Sequence, residues 1–300
     1  MSLRFILVLL CLSLPVVFPD LDTTYVQRLN EHNEEALQLL YSLCSPSKLW
    51  SSLPSEDISL HKRHFEKTPP PSYLSDSDQL AFRRHECIRG VGIIDAPPET
   101  VFEAFRDNAK VLEFNDNIES IRDLHSFPTR VTQESITWTK VSWSKASPKN
   151  IPFVKAREFY SVVSFTKFRN GTFAIVNRPA YIVDNKIRDF RSVRGSLLLS
   201  GNIFEPYQNK TKITQIIHIN PGGSADSSAI AWILNRRQLP SYVFIKKLER
   251  VVLEDLEKKK SSLRASDHVQ TMLSELRGNW KKRVRKGNLG IGIYSFKRRQ

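Results

Sequence analysis

The chain predicts an α+β domain in which a curved antiparallel sheet is closed by one long C-terminal helix. Two observations carry that expectation. Between residues 155 and 220 lie the runs VKAREFYSVVSF, GTFAIVNR, RSVRGSLLLSGNIFEP and KTKITQIIHINP, rich in β-branched and aromatic residues and separated by Gly, Asn or Pro turns. Directly after them, a segment ending QLPSYVFIKKLERVVLEDL repeats apolar residues at helical spacing. Several strands followed by one closing helix form two layers around a core, an arrangement suited to holding something apolar. With 300 residues and 40% apolar content, the chain can bury a large core in one or two domains.

The first residues, MSLR and then FILVLLCLSLPVVF, form a basic start and an apolar run too short to span hydrocarbon comfortably. Residues 1–19 therefore read as a secretory signal peptide, or as an uncleaved anchor, because Val17, Phe18, Pro19 and Asp20 offer no small-x-small cleavage site. The sequons Asn170-Gly-Thr172 and Asn209-Lys-Thr211 fall where hairpin turns are expected and agree with a secretory route. Cys44 and Cys87 remain after the leader, either as one disulfide or as two buried thiols.

Residues 20–78 read as an N-terminal helix and a linker. Thr23 or Thr24 caps a helix to about Leu43, with Val26, Leu29, Ala36, Leu37 and Leu40 on one face. Residues 45–78 are rich in Ser and Pro, including Pro69-Pro-Pro71, and predict no regular structure. The folded body runs over residues 80–260. AFRRHECIRGVGIID gives one or two strands, and Pro97-Pro98 opens a short helix, since a proline in the first turn lacks only an N–H that would stay unpaired anyway. A second short helix and a strand follow through FNDNIESIRDLHSF, then SITWTKVSW and the runs named above. The closing helix spans Ala229 to about Glu257, restarted or kinked at Pro240, with Ile233, Val243, Phe244, Leu248, Val251 and Val252 on its apolar face.

Residues 261–300 form a basic tail that carries +8 of the net +14 charge. Trp280-Lys-Lys-Arg-Val-Arg-Lys286 and Lys297-Arg-Arg299 flank an apolar stretch, the pattern of a surface that meets anionic lipid, or of a solvated extension with no specific partner. Nucleic acid favours the same charge but is not the expected partner. The chain has no His-x-x-x-His, Cys-x-x-Cys or Gly-x-Ser-x-Gly motif, and Gly222-Gly223 lacks the third glycine and βαβ context of a nucleotide fingerprint. No enzyme, metal or cofactor is expected.

Several segments, in order, resemble the StAR-related lipid-transfer (START) domain family over residues of about 80–257: DAPPETVFEAFRD, FNDNIESIRDL, VSWSKASPKNIPFVKAREFY, RSVRGSLLLSGNIFEP, KTKITQIIHINPGG and LNRRQLPSYVFIKKLERVV. The resemblance implies the helix-grip fold, with a bent antiparallel sheet around a long C-terminal helix and a single lipid between them. Lipid-facing positions follow from strand parity. Lys140 taken as outward turns Thr139, Val141 and Trp143 inward, and Lys212 outward turns Gln215, Ile217 and Ile219 inward. Family resemblance turns Phe159, Ser161 and Val163 inward, and Arg178 sets Phe173, Ile175 and Asn177 toward the tunnel. Leu197 and Leu199 are taken from an ambiguous run, and Ile233, Val243 and Phe244 from the helix.

Gln215, Asn177 and Ser161 are the candidate polar contacts. Sterol-carrying members resemble one another in a buried Arg paired with an acid. Val163 and Ser142 to Ser144 stand at those positions here, which leaves a neutral lipid or a zwitterionic phospholipid. Arg157 and Glu158 read as a structural pair, Ser224 and Asp226 as caps of the closing helix, and Trp232 as either a membrane contact or a packed helix residue. The function expected is lipid binding or transfer by a monomer in the secretory pathway, its basic tail on an anionic membrane. The alternative is a membrane-associated regulatory module that senses lipid.

Overall fold

The computed structural model describes residues 23–54, 58–146, 155–181, 191–223 and 241–285, in two compact units that divide after Val252. In the first unit, α1 (Thr23–Cys44) precedes β1 (Ser51–Leu53) and β2 (Ser59–Arg63), and α2 (Asp76–Arg84) precedes β3 (Cys87–Ile94). Then come α3 (Pro98–Arg106), α4 (Asn108–Phe114), β4 (Ile118–Ser126), β5 (Arg130–Val131), β6 (Ser135–Ala146), β7 (Arg157–Phe168), β8 (Phe173–Pro179), β9 (Val193–Arg194), β10 (Ser196–Tyr207) and β11 (Lys210–Asn220). The last helix, α5 (Ser241–Arg285), starts in this unit. The strands form one sheet of order β1-β2-β3-β11-β10-β8-β7-β6-β4, antiparallel except where β9 runs beside β7, so the fold is the α+β helix-grip.

Two segments depart from the sequence reading. Residues expected as a bare linker supply β1 and β2, which extend the sheet beyond β3 because Leu60 and Ile58 are apolar enough to be buried. AFRR, expected as a strand, closes α2, whose first turn is capped by Ser75 Oγ accepting from Asp78 N at 3.4 Å. α5 also continues well past Glu257, into residues expected to be tail.

Cross-strand register divides the sheet into two faces. On one, Leu40, Leu43 and Ala36 of α1 and Phe82 of α2 pack against Ala174, Val176, Leu198, Leu199, Ile203 and Ile216. Gly201 lets α1 approach closely, since a Cβ there would lie 2.8 Å from Leu40 and 2.4 Å from the Ile175 carbonyl. Arg178 fastens the helix from below: its Nε donates to Asn33 Oδ1 at 2.8 Å, and burial lowers its pKa to about 10, so it stays charged. Arg89 does the same at the helix C-terminus, donating to the Ser45 carbonyl at 3.0 Å.

His218 lies on this face between Phe65 and Phe82, at ring distances of 5.1 and 4.7 Å. Its Nε2 lies 3.1 Å from the His85 carbonyl, so this nitrogen carries the proton, and burial pushes the pKa down from 6.5 to about 3. Between those values the unfolded chain takes a proton that the native state refuses, so stability falls as pH drops below 6.5. Urea unfolding across pH 4 to 7 is expected to show this loss, and His218→Gln to flatten it by a few kcal/mol, on the order of the linkage for one buried histidine. An unchanged slope in the variant refutes the assignment.

Candidate functional site

The opposite face, toward α5, is built from rows of directly paired residues. One row holds Gln215, Asn202, Ile175, Phe165 and Trp138 across β11, β10, β8, β7 and β6. The next holds Ile217, Ser200, Asn177, Val163 and Lys140, and a third carries Ser161 beside Ser142. Direct partners in a sheet share a face, so these side chains all point to the same space.

That space has two zones. At one end α3, α4 and α5 fill it with aromatic rings. Phe102 packs on Phe173 at 4.8 Å and on Phe204 at 6.2 Å, while Phe244 meets Phe105 at 5.9 Å and Phe114 at 5.5 Å. Gly92 lies beneath Ile245, and the Asp95 amide donates to Glu249 Oε1 at 3.1 Å, which pins α5 across the sheet. Each buried aromatic side chain here contributes roughly 2–3 kcal/mol. Toward the other end Leu197, Ile217, Ile219, Asn177 and Ser200 are only half-buried.

Three polar groups on this face are buried yet unpartnered. Ser161, Asn202 and Gln215 are 4%, 5% and 6% exposed, and Ser161 Oγ, Asn202 Oδ1 and Gln215 Oε1 have no hydrogen-bond partner among the described residues. Asn202 and Gln215 sit directly opposite each other on β10 and β11, so both side chains leave the sheet on this face. A buried amide without a partner costs about 1–3 kcal/mol, which a bound polar group would recover. Asn177 Nδ2 reaches the Ser200 carbonyl at 3.4 Å.

The sequence reading put β6 on the wrong parity. Thr139, Val141 and Trp143 pair with Ser164, Val162 and Tyr160, which places them on the α1 face, and Trp143 Nε1 donates to Glu158 Oε2 at 3.2 Å. The cause is Lys140, which points inward because its charge finds partners there: Asp123 Oδ2 at 2.9 Å and Asn108 Oδ1 at 3.2 Å. This ion pair stands one strand away from Val163, directly across from it. Leu199 is also on the α1 face. A bulge between Leu197 and Leu199 breaks the alternation, so Leu197 stays opposite Ile219 while Leu199 pairs with His218.

Phe159, Ser161, Val163, Phe173, Ile175, Asn177, Leu197, Gln215, Ile217 and Ile219 do share the α5 face. Within it, Phe173 and Phe244 are packed by the protein's own aromatics, and Val243 is exposed on the outer side of α5. Ile233, Ser224, Asp226 and Trp232 lie outside the described residues. Arg157 and Glu158 do not pair, because strand neighbours point to opposite faces. Arg157 Nε instead donates to the Pro221 carbonyl at 3.2 Å, and its Nη1 to the Lys155 carbonyl. The bulged run SLLLSGN hid Asn202, although a lone Asn within an apolar strand was a readable signal.

Cys44 and Cys87 are free thiols, both with raised pKa values caused first by burial, Cys44 to about 12, so neither is a ready nucleophile. Among the described residues no cluster of His, Cys, Asp or Glu is arranged to hold a metal ion.

No curated protein matches the chain. Among solved structures, the human StAR-related lipid transfer protein 5 is similar with a TM-score of 0.58 and 15% identity, covering 76% of this chain and 98% of its own. Human STARD10 is similar with a TM-score of 0.54 and 18% identity, covering 76% of this chain and 82% of its own. At these identities the likeness is one of fold. A START domain profile matches residues 30–251, taking in most of α1 together with β1 and β2 as well as the sheet and the first turns of α5. By that match the chain belongs to the START domain family.

Proposed function

We propose that the protein binds and transfers one lipid, held between the α5 face of the sheet and the segments that cover it, without an enzymatic step. Ser161 Oγ, Asn202 Oδ1 and Gln215 Oε1, buried without a partner among the described residues on the face that also carries Ile175, Val163 and Phe165, are the observation that carries this reading. Apolar neighbours favour acyl chains at roughly 0.8 kcal/mol per buried methylene, and the amides offer donor and acceptor to an ester, hydroxyl or amide of the lipid. Lys140 and Asp123 present opposite charges at one place, so a headgroup with net charge gains little and a zwitterionic or neutral one fits. A phospholipid is the first candidate.

Native mass spectrometry of the purified chain tests this. One copurifying neutral or zwitterionic lipid per chain, and its movement between vesicles, are the expected results. A protein that carries no lipid and moves none refutes the proposal.

We also propose a secretory route, on the apolar N-terminal run and the two sequons. Asn170 and Asn209 are exposed at the β7–β8 and β10–β11 turns, where an oligosaccharide meets no packed surface. An endoglycosidase-sensitive mass that falls in Asn170→Gln supports this, and an unmodified secreted or cellular chain counts against it.

A further inference from the structure

The second compact unit begins at Leu253, and its described part is the helical stretch 253–285. Along it Val269, Met272, Leu273 and Leu276 are 54%, 50%, 50% and 60% exposed. Their spacing of i, i+3, i+4 and i+7 sets them in one stripe, which Trp280 and Val284 continue in the sequence. Single exposed apolar residues are ordinary, but an aligned row of them calls for a cover. The cationic character lies C-terminal to the stripe: residues 277–286 hold six Lys/Arg and no acid, whereas residues 265–276 hold Asp267 and Glu275 and no Lys/Arg. No described helix is long and apolar enough to cross a membrane.

We infer that residues 265–285 dock in the plane of an anionic bilayer, the apolar stripe among the upper acyl chains and the Lys/Arg positions at the phosphates. Charge complementarity selects this occupant. Two copies packed stripe to stripe in parallel register would bring like charges together at Lys281, Lys282 and Arg283, whereas an anionic surface neutralises them. The inference deepens the transfer reading by giving it a docking surface, yet it rests on residues separate from the lipid-facing ones.

The test is flotation of the full chain with phosphatidylcholine vesicles containing about 30 mol% phosphatidylserine, and with pure phosphatidylcholine vesicles. Wild type is expected to float with the anionic vesicles and to be released by salt. Met272→Glu with Leu276→Glu is expected to lower partitioning by about tenfold or more, and Lys281→Gln, Lys282→Gln, Arg283→Gln to lower it and flatten the salt dependence. Thermal melting of both variants serves as the folding control, since the changed positions lie outside the first unit.

Equal flotation of the glutamate variant overturns the inference, as does equal binding of wild type to uncharged vesicles. A stripe variant that only turns a dimer into a monomer, or a cationic variant that only loses RNA binding, overturns it too. Anionic vesicle binding by a chain that carries no copurified lipid supports the docking helix while counting against the carrier reading.

Discussion

The Asn202→Leu, Gln215→Met double variant is expected to be more stable than wild type when stripped of lipid, yet to hold its lipid more weakly. Both side chains are buried on the face toward α5, and Asn202 Oδ1 and Gln215 Oε1 find no partner among the described residues. An apolar replacement of similar shape removes that desolvation cost, a gain of about 1–3 kcal/mol for the pair. In the loaded protein the sign reverses, because the lipid's polar portion then loses its partners. Lipid occupancy after competition with vesicles is expected to fall by about tenfold, equivalent to 1.4 kcal/mol. Urea unfolding of delipidated protein and native mass spectrometry read the two halves separately. A variant that is less stable and equally loaded would make the two amides structural rather than recognition groups.

Gly201→Val is the most damaging single change expected in the first unit. The position lies under α1, where even one Cβ would come within 2.8 Å of Leu40 and 2.4 Å of the Ile175 carbonyl. The backbone oxygen cannot move without breaking the pairing of β8 with β10, so α1 must lift off the sheet. Leu40, Leu43 and Ala36 would then lose burial together. A loss of roughly 3 kcal/mol or more is expected by urea denaturation, with early amide exchange across Thr23–Cys44. Stability within about 0.5 kcal/mol of wild type would show that α1 is not seated as described. The site itself is on the other face, so this variant separates fold support from lipid contact.

The helix over Thr23–Cys44, the short helix after Pro97 and the strands from β6 to β11 were legible from the sequence, because each is fixed by local chemistry. Apolar residues at helical spacing, a proline in the first turn and β-branched runs between Gly or Asn turns act within a few residues of one another. The inward set Gln215, Ile217 and Ile219 was legible for the same reason, since β11 alternates without interruption. The two corrected strands show the limit. On β6, Lys140 reads as a solvent-facing marker until Asp123 and Asn108, distant in sequence, are brought to its amine. On β10, the slip between Leu197 and Leu199 exists only against β11.

The sequence by itself therefore determined α1, the order of the main helices and strands from β3 to β11 and the α+β class, through periodicity and turn chemistry. Only the tertiary structure decided which face β6 and the bulged run of β10 present, that Ser51–Leu53 and Ser59–Arg63 join the sheet, and that Asn202 lies opposite Gln215. Those outcomes depend on partners far along the chain: a buried charge is stable wherever its counter-charge arrives, and a strand's register is set by its neighbour rather than by its own residues.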